Sequence, residues 1–186
     1  MAHDETPGGG PAGPAGSPYT DWVAEDDPRY SAARLKERLY ASITMISVVM
    51  GLASAEHVDP AGAAATVLTA AVGLWLAALV ADLQAHRVVH GRSAAGRELR
   101  GMLAVSSPLL LSAAGPLVLI AAAALGVMAL DTALLVSAGV NVAGLFSWGW
   151  YGGIRMGSST VVAVLGGVVD AVIGVAVALV KAAAGH

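Results

Sequence analysis

No cysteine occurs among the 186 residues. Disulfides and thiolate metal sites are therefore excluded, and redox chemistry gives no clue to the compartment. Charge is scarce as well: Asp, Glu, Lys and Arg make up 12% of the chain against 56% hydrophobic residues. That is more apolar surface than a soluble domain of this length can bury. Phe occurs once, and aromatic residues together contribute 5%. No aromatic–basic interleaving accompanies the arginines, so no nucleic-acid partner is expected. The start is polar and acidic, without the early apolar run of a signal peptide, and none is expected. An HExxH motif, paired carboxylates and a Ser/His pair at a shared depth are also missing. One deep acid does not make a catalytic site, so the chain reads as a non-enzyme with no cofactor and no metal centre.

What the chain does have is five long apolar stretches, at 39–55, 62–83, 102–130, 132–150 and 159–180. They predict an all-α, polytopic transmembrane helical bundle of about five spanning helices, one of them proline-kinked. Residues 1–27 form a Gly/Pro-rich acidic tail with little to bury, which predicts disorder. The tail reads as a solvated segment, or alternatively as a docking peptide anchored by Trp22. Pro28 then opens a basic juxtamembrane helix over 28–38, where Arg29, Arg34, Lys36 and Arg38 lie beside anionic headgroups and lead into the first span.

The bases are unevenly placed. The segment before span one, the second loop (Arg87, Arg92, Arg97, Arg100) and the third loop (Arg155) hold nearly all of them, whereas the first loop and the turn at Asp131 hold none. The positive-inside rule puts the N-terminus in the cytoplasm and, after an odd number of spans, the C-terminus outside. The expected setting is the lipid bilayer of the cell membrane.

Span three is too long. Its ~29 residues would measure about 43 Å against a hydrocarbon core of about 30 Å. Pro108 and Gly115–Pro116 lie within it, so a kinked helix is expected. A helix broken near Gly115, with freed carbonyls lining a site as in transporters, is the alternative. Ser106, Ser107 and Ser112 stand ready to satisfy backbone groups freed by the prolines.

Polar residues deep in the spans are the candidate site. Asp170 sits at the middle of span five, where a carboxylate costs ~2.5–3.5 kcal/mol to insert. Gly166, Asp170, Gly174 and Ala178 recur every four residues, which predicts a close helix contact on that stripe. Asn141, mid-span four on the antiparallel neighbour, is the expected hydrogen-bond partner of Asp170. The pair reads either as packing glue or as a proton- or cation-handling site. Asp82, His86 and His90, spaced four apart, are weaker candidates for a relay or a metal, provided span two continues as a helix into the second loop. Glu56, His57 and Asp59 make a polar loop at the other end. Trp148, Trp150 and Tyr151 read as an interfacial aromatic belt, and Trp75 lies deeper. The small-residue stripes Gly73/Ala77/Ala81 and Gly139/Ala143 are association faces, for this bundle, for a homo-dimer or for a partner membrane protein.

The Ala/Gly/Val-rich composition is that of a high-GC genome. The blocks ERLYASI (37–43), LWLAALVADLQAHRVVHGR (74–92) and NVAGLFSWGWYGG (141–153) resemble small multi-spanning membrane proteins of high-GC actinobacteria. This resemblance implies an architecture and no chemistry. The five-span plan is also similar to that of vacuolar-type iron transporters, but their acidic first-span pattern and Met/Glu-rich metal site are missing, and no residue carries over. Function therefore reads as an accessory or structural membrane component. The alternative is a small proton- or cation-coupled transporter or channel subunit working through Asp170.

Overall fold

The computed structural model describes residues 28–184. The tail and Trp22 lie outside the described residues, as do 185–186. Among the described residues every regular element is an α-helix: α1 (Pro28–Ala53), α2 (Pro60–His90), α3 (Arg97–Leu111), α4 (Ala114–Ala124), α5 (Leu130–Arg155) and α6 (Thr160–Ala184). The α3–α4 pair forms one transmembrane unit over 97–124. Together with α2, α5 and α6 it makes four helical units long and apolar enough to cross a membrane. The chain is a polytopic membrane bundle.

The fifth long helix, α1, is less apolar because of where it sits. It packs against α2, α3, α5 and α6, and Ala41, Met45, Ile46 and Val49 are all almost completely buried. A helix wrapped by other helices needs no lipid-facing side chains. Its basic start is continuous with its apolar half, as one helix from Pro28. The opposite pattern holds on α6, where Val161, Val168, Val172 and Leu179 are exposed large hydrophobics. Such surface is stable only against lipid.

Two apolar centres organise the bundle. Met45 and Val49 of α1 meet Val67 of α2, Ile120 of α4 and Leu134 of α5 in the main core. Beside it, α5 and α6 form the most extensive helix pair.

Helix ends explain where sequence and structure differ. Asp59 caps α2, its carboxylate accepting from the Gly62 N–H at 3.0 Å, with Pro60 in the first turn. Asp59 is thus a cap rather than a free loop acid. The α2 helix then runs through 84–90, which the sequence assigned to the second loop, and stops at Gly91. Span three was expected to reach 130, yet the helix closes at Ala124. There the Gly126 N–H donates to the Ala123 carbonyl and the Val127 N–H to the Ala122 carbonyl, a Schellman stop. Gly126 takes φ 77°, a conformation that glycine adopts without a Cβ penalty. The same motif, with Gly157 at φ 71°, ends α5. Asp131 accordingly lies in the first turn of α5 and not in a turn between spans.

The long third span is kinked, not unwound. Only Ser112 and Ala113 interrupt it, and both keep right-handed helical dihedrals. Pro116 has no N–H to offer the Ser112 carbonyl four residues back, so the ladder fails there. Nearby serines take over the freed acceptors. The Ser107 hydroxyl donates to the Ala104 carbonyl at 2.8 Å, the group that Pro108 cannot reach, and the Ser112 hydroxyl donates to the Leu109 carbonyl at 2.6 Å. The Ser106 hydroxyl donates to the Met102 carbonyl at 3.0 Å.

Candidate functional site

Asp170 and Asn141 do not meet. The α5–α6 hairpin closes so that Gly153 faces Ala163, Gly149 faces Gly167, and Val142 faces Gly174. In this register Asp170 lies level with Phe146, and Asn141 lies level with Val175. The two are displaced along the hairpin by about five residues, or ~7 Å. Asn141 instead donates to the Ser137 carbonyl of its own helix at 2.9 Å. The half-buried Asp170 lies against Gly149, where any Cβ would collide with its Oδ2. The expected hydrogen bond is therefore replaced by a close packing contact.

The α6 contact line also differs from the stripe read in the sequence. Ala163, Gly167 and Gly174 are buried, whereas Gly166 is exposed. A Cβ on Gly167 would come within 2.6 Å of the Phe146 carbonyl oxygen, and one on Gly174 within 2.6 Å of Leu145 Cδ1. Only glycine permits that approach. The stripes Gly73/Ala77/Ala81 and Gly139/Ala143 are exposed, so they do not pack inside this chain.

Asp82, His86 and His90 do share one continuous helix, but their side chains serve different contacts. Asp82 is close enough to α1 to feel the charges of Glu37 and Lys36. His86 is fully buried, with Nε2 3.4 Å from Glu98 Oε2, and its ring centroid is 4.4 Å from that of His90. Glu98 in turn receives both guanidinium arms of Arg92, at 2.8 and 2.5 Å. This is a planar, two-pronged ion pair across the loop between α2 and α3. The arrangement ties the end of α2 to the first turn of α3. Among the described residues, no three His, Asp or Glu side chains gather as a metal site would require.

A different place gathers polar groups. A cavity of about 190 Å³ opens between α1, α3 and α5, lined by Arg38, Ser42, Leu111, Ser112, Asn141 and Trp148, with Ala41 and Pro108 behind them. The kink of the third span forms one wall. Arg38 lies over the Trp148 ring, 4.1 Å from its centroid, a cation–π contact. Burial first, and then the charge of Arg34, push the Arg38 pKa below its ordinary value. Among the described residues no carboxylate lies within ion-pair distance of Arg38. The cavity thus combines a partly buried cation with two hydroxyls and an amide.

In the sequence pattern these residues point to other roles. Arg38 was a headgroup-facing base, Trp148 a belt residue and Asn141 a partner for Asp170. They share no local signal: Arg38 ends the basic juxtamembrane stretch, Pro108 lies in the third span and Asn141 in the middle of the fourth. Trp148 also meets Tyr151 edge-on at 6.2 Å, and Arg155 donates to the Tyr151 hydroxyl at 2.8 Å, so these three side chains form one cluster at that end of α5. Trp75 is half-buried.

No known protein family, curated protein or solved structure matches the chain.

Proposed function

We propose that this chain is a non-catalytic, accessory component of the cell membrane, with its N-terminus in the cytoplasm and its C-terminus outside. One observation carries the reading: the mid-span acid, Asp170, lies half-buried in a close packing contact with Gly149. A transport carboxylate must exchange partners during a cycle. Asp170 instead fills a contact in the most extensive helix pair of the bundle. Asn141, bonded to the Ser137 carbonyl, supports the same reading from α5.

The folded distribution of bases supports this orientation. Packing of Leu35 near Gly152, and of Arg38 on Trp148, sets the start of α1 beside the end of α5. Arg34, Lys36 and Arg155 then cluster at one end, which the positive-inside rule assigns to the cytoplasm. The exposed stripe Gly73/Ala77/Ala81 on α2 is where a second copy or a partner membrane protein would dock.

Flux into proteoliposomes tests the reading. Native protein and Asp170→Asn should both give proton and monovalent-cation flux equal to that of empty vesicles, with helix content unchanged. Flux that is present in the native chain and lost in a folded Asp170→Asn variant would replace this proposal with the transporter reading.

A further inference from the structure

The cavity at the kink of the third span sets a cation beside polar side chains, and its lining and rim bear on what it could hold. Its interior offers the Arg38 guanidinium, the Ser42 and Ser112 hydroxyls and the Asn141 amide. Among the described residues no acidic side chain lines it. Trp148 covers one face of the guanidinium at 4.1 Å. Stacking of that kind occupies the face and leaves the in-plane N–H donors for a ligand. The Ser112 hydroxyl already donates its proton to the Leu109 carbonyl, and Asn141 uses one N–H on the Ser137 carbonyl. The amide keeps a second donor. A partly buried cation facing polar donors is poorly satisfied by hydrocarbon and well satisfied by phosphate oxygens.

The rim says what is attached to that anion. Leu111, which lines the cavity, is 65% exposed on the outside of the bundle, where acyl chains run in a membrane. At about 30 Å³ per water, a cavity of about 190 Å³ holds a phosphate and a few waters, but no lipid tail. The tails must then lie along the apolar rim. Arg38 stands at the boundary between the basic start of α1 and its apolar half, the stretch that basic residues share with anionic headgroups.

We infer that the cavity between α1, α3 and α5 is a binding site for the phosphate of an anionic phospholipid, with Arg38 as its principal contact and Asn141 as the second donor.

The full chain, delipidated in a neutral detergent, would be titrated with a fluorescent phosphatidylglycerol, a fluorescent phosphatidylcholine and inorganic phosphate. The expected result is saturable phosphatidylglycerol binding that is much tighter than phosphatidylcholine binding. Arg38→Gln should weaken it about tenfold or more, the size of one lost charge-assisted hydrogen bond. Asn141→Leu should weaken it by a smaller factor, and this variant serves if Arg38→Gln does not fold. Arg87→Gln, which removes an exposed charge of the same sign, should have little effect. Equal affinity for both lipids overturns the inference, as does unchanged binding in folded Arg38→Gln or Asn141→Leu. Full displacement of the lipid by inorganic phosphate would overturn its lipid half, because the site would then be one for the free anion.

Discussion

Asp170 of α6 packs on Gly149 of α5, so a carboxylate deep in the bundle is accommodated by the absence of a side chain opposite it. The glycine is as much part of the site as the acid. A Cβ there would meet the Asp170 carboxylate and also approach Gly167 Cα to 2.9 Å. Backbone cannot swing aside as a flexible side-chain end can.

Gly149→Ala should therefore destabilise the bundle by about 1–3 kcal/mol, the usual range for overpacking. Gly73→Ala is the matched control, since a Cβ at Gly73 meets nothing within 4 Å. It should be neutral or stabilising by up to ~1 kcal/mol through helix propensity. Unfolding midpoints in a mixed-detergent titration measure both. Equal effects would mean that the α5–α6 contact is not as tight as described.

Because Asn141 bonds the Ser137 carbonyl and Asp170 lies against Gly149, their energetics should be independent. A double-mutant cycle with Asn141→Leu and Asp170→Asn is expected to be additive within about 0.5 kcal/mol. A coupling energy well above that would bring back the direct pair that the sequence pattern anticipated.

The kink gives a sharper expectation. The Ser107 hydroxyl serves the Ala104 carbonyl because Pro108 has no N–H to give it. Ser107→Ala alone should cost about 1 kcal/mol. In a Pro108→Ala background the restored amide can take that acceptor, and the same serine change should cost almost nothing. Stability measurements on the four proteins read out the difference, and a serine cost that is the same in both backgrounds would sever the link.

Much of this architecture is legible in the sequence, since apolar length is a bulk property that lipid enforces residue by residue. The pairing of Asp170 with Asn141 failed because mid-span position is not depth. Their offset depends on where the hairpin closes, and the Gly157 stop with Ser159 ahead of α6 sets that register. Gly126 went unread as a helix end because it is embedded in an uninterrupted apolar run. The cavity was harder still. Arg38, Ser112 and Asn141 come from three helices far apart in the chain, and no local pattern announces that a kink will bring them together. The rescue of the kink by Ser107 and Ser112, by contrast, was readable, because each hydroxyl reaches a carbonyl three residues back on its own helix; Ser106 bonds the Met102 carbonyl, which neither proline frees.

Topology offers the last test, and the absence of native cysteine makes it clean. Ser93→Cys places a thiol in the loop between α2 and α3, at an exposed position flanked by Arg92 and Arg97. It is preferable to Gly96, whose φ of 57° strains any side chain. Ala61→Cys places a thiol at the opposite end, in the first turn of α2, also exposed. In intact cells an impermeant maleimide should label the variant at 61 and spare the one at 93, and permeabilisation should reverse the protection at 93. The reasoning is electrostatic: moving Arg87, Arg92, Arg97 and Arg100 across the membrane against the potential would cost ~2.3 kcal/mol per charge per 100 mV, whereas the first loop has no Lys or Arg to hold back. The reverse labelling pattern would invert the bundle, put the Arg38 cavity at the outer leaflet, and leave the loop arginines without an explanation.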